Sequence, residues 1–178
     1  MATQYSDWFN ETQPATTITN PPVKVPFHKN TKYRKTAKAT LTLTDFTTDV
    51  CRMMTVKIND VINAIWISST GASTGTTVDV GLYIAGMAHD GAVIDADEFA
   101  SAVDLNAGQN RLEIMLEAGA TVVGRRGMQV WEIAGYSSAA AARAAVGAGG
   151  EIDICLTGVG SVATANEPVV LEVEGTFS

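Results

Sequence analysis

The sequence predicts an all-β protein: a β-sandwich or jelly-roll barrel with one or two short helices and an extended N-terminal arm. Three observations carry this. Eight to nine short runs rich in β-branched and large apolar residues recur along the chain. Glycine-rich turns separate these runs, and helical patterns are too few for alternating βαβ units. The first part of the chain instead holds four of its five prolines, many threonines and no apolar period.

Residues 1–38 read as the arm. Its core, ETQPATTITNPPVKVPF, is forced into an extended path by Pro21 and Pro22, because proline fixes φ and lacks a backbone donor. Tyr5, Trp8 and Phe9 precede it and need a place to bury their rings. They pack back on their own domain or dock on a neighbour. The neighbour is favoured, because the prolines carry the segment away from its own core.

The sandwich domain spans residues 39–178. ATLTLT alternates apolar residues and threonine, as a half-buried strand does. MMTVKIND and VINAIWISS follow as strands, and STGASTGTT reads as a flexible surface loop. VDVGLYIAG is the next strand, with Gly81 marking a bulge or a close backbone approach. HDG (89–91) is a turn signal. DADEFASAV (95–103) reads as one or two helical turns, with Asp95 as cap and Asp97 and Glu98 at the positive end. RLEIMLE, EAGATVV and RGMQVWEIAG read as further strand segments. The alanine-rich SSAAAARAAVGAGG favours a short helix ended by glycines. EIDICLTGV and PVVLEVEGTF close the chain as strands. The expected core is Val80, Leu82, Ile84, Leu112, Ile114, Ile152, Ile154, Leu156, Val170, Leu171 and Val173, with Trp66 and Trp131 also inside and Phe99 packed on the sheet.

Composition narrows the function classes. The chain has 178 residues, 46 % of them apolar, enough for one domain that needs no disulfide or metal. Cys51 and Cys155 sit in apolar strand runs and read as buried reduced thiols. No apolar run is long enough to span a membrane, and the N-terminus has no signal-peptide pattern, so folding in a cytoplasm is expected. The net charge of −7 is uneven. Residues 1–44 carry six basic and two acidic side chains, and the rest carries six basic and seventeen acidic. The six N-terminal cations are Lys24, Lys29, Lys32, Arg34, Lys35 and Lys38.

Catalytic signals are weak. Histidine occurs only at His28 and His89, and no Gly-x-Ser-x-Gly elbow is present. The acidic residues Asp90, Asp95, Asp97 and Glu98 miss the spacing of a calcium loop, and no phosphate-cradling Gly-Lys-Ser/Thr occurs. Neither a cofactor, a metal, a membrane nor a small-molecule substrate is expected. The basic run fits docking on an acidic protein surface better than a solvated tether or nucleic acid, which the acidic remainder would repel. The expected docking residues are therefore Tyr5, Trp8, Phe9, Lys24, Lys29, Lys32, Arg34, Lys35 and Lys38.

The segments VDVGLYIAG, DGAVIDADEFASAVDLNAG, QVWEIAGYSSA and EIDICLTGVGSVATAN, between residues 78 and 166, resemble small virion structural proteins of tailed bacteriophages, of the capsid decoration (cement) type. The basic, proline-rich arm is not part of that resemblance. The resemblance implies a non-enzymatic protein on the capsid exterior, made in the host cytoplasm. It also implies the major capsid protein as partner and self-association as a homotrimer. The alternative is a tail or head–tail adhesin that recognises a receptor or glycan, with Trp66, Trp131 and Tyr136 as a sugar-stacking platform.

Overall fold

A computed structural model describes residues 3–5, 33–41, 49–115, 124–159 and 165–178; of residues 3–5 only the backbone is described. Trp8, Phe9, Lys24, Lys29, Lys32, the Pro21–Pro22 pair and the expected strand at 117–123 lie outside these residues, as does the side chain of Tyr5.

Among the described residues there are nine strands and two helices, and the strands form two packed sheets. The strands are β1 (Thr3–Tyr5), β2 (Tyr33–Leu41), β3 (Val50–Lys57), β4 (Val61–Ser69), β5 (Thr77–Ile84), β6 (Val93–Asp104), β7 (Leu112–Glu113), β8 (Glu151–Gly158) and β9 (Glu167–Thr176). Helices α1 (Val130–Ile133) and α2 (Ala139–Val146) lie between β7 and β8. One sheet runs β1-β3-β8-β5-β6 and the other β2-β9-β4-β7. Every pairing is antiparallel except that of the short β1 with β3. Setting β1 aside, two four-stranded sheets with orders 3-8-5-6 and 2-9-4-7 are the strand arrangement of a double-sheet jelly roll.

Alternation of side chains builds the core. Along β9, Val169, Leu171, Val173 and Gly175 are buried, while Val170, Glu172 and Glu174 turn outward. Strand β2 follows the same period, with Ala37 and Leu41 inside and Arg34, Thr36, Lys38 and Thr40 outside. Ile152, Ile154 and Leu156 of β8 meet Val78, Val80 and Leu82 of β5 in the same apolar cluster. Val170, expected in the core, is thus placed on the outer face by this alternation.

The residues read as helical at 95–103 belong to strand β6. Asp95 Oδ1 does accept from the Asp97 N–H (3.2 Å), the local bond that a cap would also make. Pairing with β5 and burial of Phe99, Ala100 and Val103 outweigh it. Gly81 makes the pairing possible. From Val80 to Leu82 the partner positions run from Ala100 to Asp95, so β6 bulges there. A Cβ at Gly81 would overlap the Asp95 carbonyl and Ala96.

A second correction concerns residues 129–133, read as strand and folded as α1. The Gln129 and Glu132 side chains form a capping box, with Glu132 Oε2 accepting from the Gln129 N–H at 2.8 Å, and this local bonding overrides the β propensity of Val130, Trp131 and Ile133. Of residues 111–115 of the RLEIMLE segment, Leu112–Glu113 form β7, and Ile114 and Met115 beyond it are buried. Helix α2 forms where alanine propensity places it, with the Ser138 side chain capping Ala141 N–H and Gly147 at its end.

The 70–77 loop is fixed from below. Fully buried Glu167 accepts from the N–H groups of Thr70 (2.7 Å), Gly71 (2.9 Å) and Ser73 (2.7 Å) and from the Thr70 hydroxyl (2.9 Å). Ser73 and Thr76 are buried with it. Cys51 and Cys155 are buried free thiols, and burial pushes the Cys51 thiol up to about 12.

Candidate functional site

The outer face of the β2-β9-β4-β7 sheet carries a cluster of aromatic and charged groups. Ile65 and Ile67 point inward, so Trp66 between them points out and is half-buried. The expectation that Trp66 sits in the core fails on this alternation. Trp131 is half-buried and does pack against the core cluster.

Two guanidinium groups stand over Trp66. Arg111 lies 4.2 Å and Arg34 5.6 Å from the ring centre, within cation–π range. Glu172, opposite Trp66 in register, holds both: Arg111 Nε donates to it at 2.9 Å, and Arg34 Nη1 lies 3.7 Å away. Arg111 adopts φ +56°, a left-handed conformation uncommon for any residue but glycine, and its N–H donates to the Ser68 hydroxyl at 3.0 Å. Beside this cluster a shallow depression of about 320 Å3 is lined by Asn63, Trp66, Glu113, Arg126 and Glu174. Arg126 pairs with Glu113 across it.

The sequence-derived docking residues divide here. Residues 33–38, read as the end of the arm, are the opening of strand β2. Arg34 joins the Trp66 cluster, and Lys38 is exposed on the same face. Lys35 turns the other way. Its ammonium lies 4.2 Å from the centre of the Phe177 ring and donates to the Thr55 carbonyl (3.2 Å), and burial lowers its pKa. The backbone of Tyr5 pairs with Arg52 at the start of β3. Trp66, Arg111 and Glu172 are residues the sequence reading did not single out as a group. Strict alternation around Ile65–Ile67 and Leu171–Val173 is the signal that would have placed Trp66 and Glu172 on one face.

On the opposite sheet, Arg52 and Asp153 form a buried ion pair at 2.7 Å. Asp153 also accepts from the Thr55 hydroxyl (2.8 Å), and His89 Nδ1 stands 3.1 Å from its Oδ2. Arg52 donates to the carbonyls of Gly91 (2.7 Å) and Ile84 (3.1 Å). This network pins the 86–91 turn, where His89 takes φ +53°. It joins an aspartate and a histidine, yet the hydroxyl donates to Asp153, whereas a nucleophile would be paired with the histidine as its base. Among the described residues no group of three or more His, Cys, Asp or Glu is placed to hold a metal, and no helix is long and apolar enough to cross a membrane.

The fold and this face define a jelly-roll module with an outward aromatic–guanidinium patch. Among solved structures, the chain is similar to one in the capsid of Ralstonia phage GP4, with a TM-score of 0.58 and 12 % identity over 99 % of both chains. It is also similar to a chain in the cyanophage Pam1 capsid asymmetric unit, with a TM-score of 0.46 and 14 % identity over 93 % of this chain and 100 % of that one. No family model and no curated protein sequence matches the chain.

Proposed function

We propose that the protein is a non-enzymatic virion structural protein that binds and stabilises a phage capsid from the outside as a decoration protein. The observation that carries this is the whole-length likeness of its jelly roll to a chain of the Ralstonia phage GP4 capsid. Its partners are the major capsid protein and further copies of itself, as a homotrimer. The N-terminal arm bridges them: Tyr5, Trp8 and Phe9 anchor in apolar pockets, and Lys24, Lys29, Lys32, Arg34 and Lys38 add salt-sensitive attraction and register. The Trp66 cluster supports the same role, since tryptophan and arginine are the residues most enriched where interfaces gain their energy.

A tail adhesin that binds a glycan is the second reading, and the outward Trp66 favours it. Sugar stacking needs an open ring face, however, and Arg34 and Arg111 stand over this one. Co-sedimentation of the purified chain with undecorated capsids, set against binding to host cells, separates the two. The decoration reading expects capsid binding that weakens in Trp8→Ala and in Arg34→Ala. Unchanged occupancy in both variants contradicts the arm's role, and binding to cells but not to capsids moves the protein to the adhesin class.

A further inference from the structure

Opposite charge gathers on opposite edges of the sandwich. Strands β1, β2 and β3 build one edge, where Lys35 of β2 reaches the Thr55 carbonyl of β3. Both ends of residues 6–32 attach there, since Tyr5 pairs with Arg52 of β3 and Tyr33 opens β2. Lys24, Lys29 and Lys32 belong to that segment by sequence, and Arg34 and Lys38 follow on the exposed face of β2.

Strands β6 and β7 and the 124–127 turn build the other edge. Asp95, Asp97, Glu98 and Asp104 all lie on β6. Arg125 is taken by Glu98 and Arg126 by Glu113. Among the described residues, Asp95, Asp97 and Asp104 have no cationic partner within ion-pair distance. A cleft of about 490 Å3 opens beside Asp95, with Ile94, Met128 and Ile133 in its wall and Glu98 and Glu132 around them.

We infer that this acidic edge docks the basic segment of residues 24–32 of a second copy of the chain, joining copies head to tail. The inference deepens the proposed function and rests on it for the self-association that it explains. Three arguments carry it. The charges are complementary and sit on opposite edges, so copies placed side by side bring them together. The segment is long enough: an extended chain advances about 3.3 Å per residue, so a loop of residues 6–32 tied at both ends reaches about 40 Å outward. The occupant is held by side-chain charge, because the bulges in β6 break the regular backbone row that an added strand requires. The carboxyl pKa of Asp97 is raised by its hydrogen bond to Asp95 and their shared negative charge, a crowding that an incoming lysine relieves. Such a heterologous interface closes into a ring when its rotation allows, which is how it yields a trimer.

Sedimentation velocity of the full chain without capsids tests this, at about 0.05 M and about 0.5 M salt, where screening differs several-fold in range. The expected result is an oligomer that weakens at high salt. The edge swap Asp95→Lys with Asp97→Lys, and separately the segment swap Lys29→Glu with Lys32→Glu, should each weaken association by about tenfold or more. Both swaps combined in one chain should restore it. These side chains are charged and lie at an edge or in the arm, and equal thermal midpoints check that each variant folds. A monomer at all concentrations, an oligomer indifferent to salt and swaps, or a combined variant that stays dissociated overturns the inference. Capsid binding is measured separately: its absence beside intact, swap-sensitive self-association contradicts the decoration reading and leaves this interface standing.

Discussion

Glu167 shows how much one buried carboxylate organises. Its two oxygens gather three N–H groups and one hydroxyl from residues 70–73, so a glycine-rich stretch that looks like free loop is folded against the sheet. Glu167→Gln removes the charge and turns a donor toward other donors. It should cost at least about 2 kcal/mol, since hydrogen bonds to charged groups are the strong ones, and a lowered urea midpoint checks it. Glu98 adds a pH dependence of known sign. Burial raises its carboxyl from 4.5 to about 7, with Arg125 opposing part of that rise. Between those values the folded chain holds a proton that the unfolded chain releases, so stability falls as pH rises from about 4.5 toward about 7. Urea midpoints across this range should fall in the native chain, and the fall should shrink in Glu98→Gln. Neither role was legible in the sequence, because Glu167 lies almost a hundred residues from its loop and Glu98 owes its burial to tertiary packing.

Among the elements, those fixed by side-chain period were legible and those fixed by local polar chemistry were not. Strands β3, β4, β5, β8 and β9 follow from β-branched runs and alternation, and α2 follows from its alanines. Strand β6 misled because Asp95, Asp97 and Glu98 resemble a capped helix start, while its true partner is β5, against which it bulges opposite Gly81. Helix α1 misled in the other direction: its three β-favouring residues, Val130, Trp131 and Ile133, follow a Gln–Glu capping box in a helix too short to show a helical period. Gly81 offers the sharper test. Gly81→Ala places a Cβ against the Asp95 carbonyl and Ala96, so β5 and β6 must separate or shift. A loss of about 1–3 kcal/mol is expected, together with faster amide exchange along β6 than along β9.

At the scale of the whole molecule, the fold class is legible in the strand count and the glycine turns. The candidate surface was half legible. Arg34 is a docking candidate from sequence alone, whereas Trp66, Arg111 and Glu172 meet it because β2, β9, β4 and β7 lie side by side in one sheet. Strand β2 starts at Tyr33, inside the span of residues 1–38 read as an arm, and residues 33–178 contain every strand from β2 to β9. Truncation to residues 33–178 gives the most direct test of the central claim, that this jelly roll decorates a capsid through its arm. The measurement is occupancy of undecorated phage capsids by the full chain and by residues 33–178, at low and high salt. The account predicts saturable occupancy by the full chain, reduced at high salt and lost on truncation. No occupancy by the full chain at either salt concentration would contradict it.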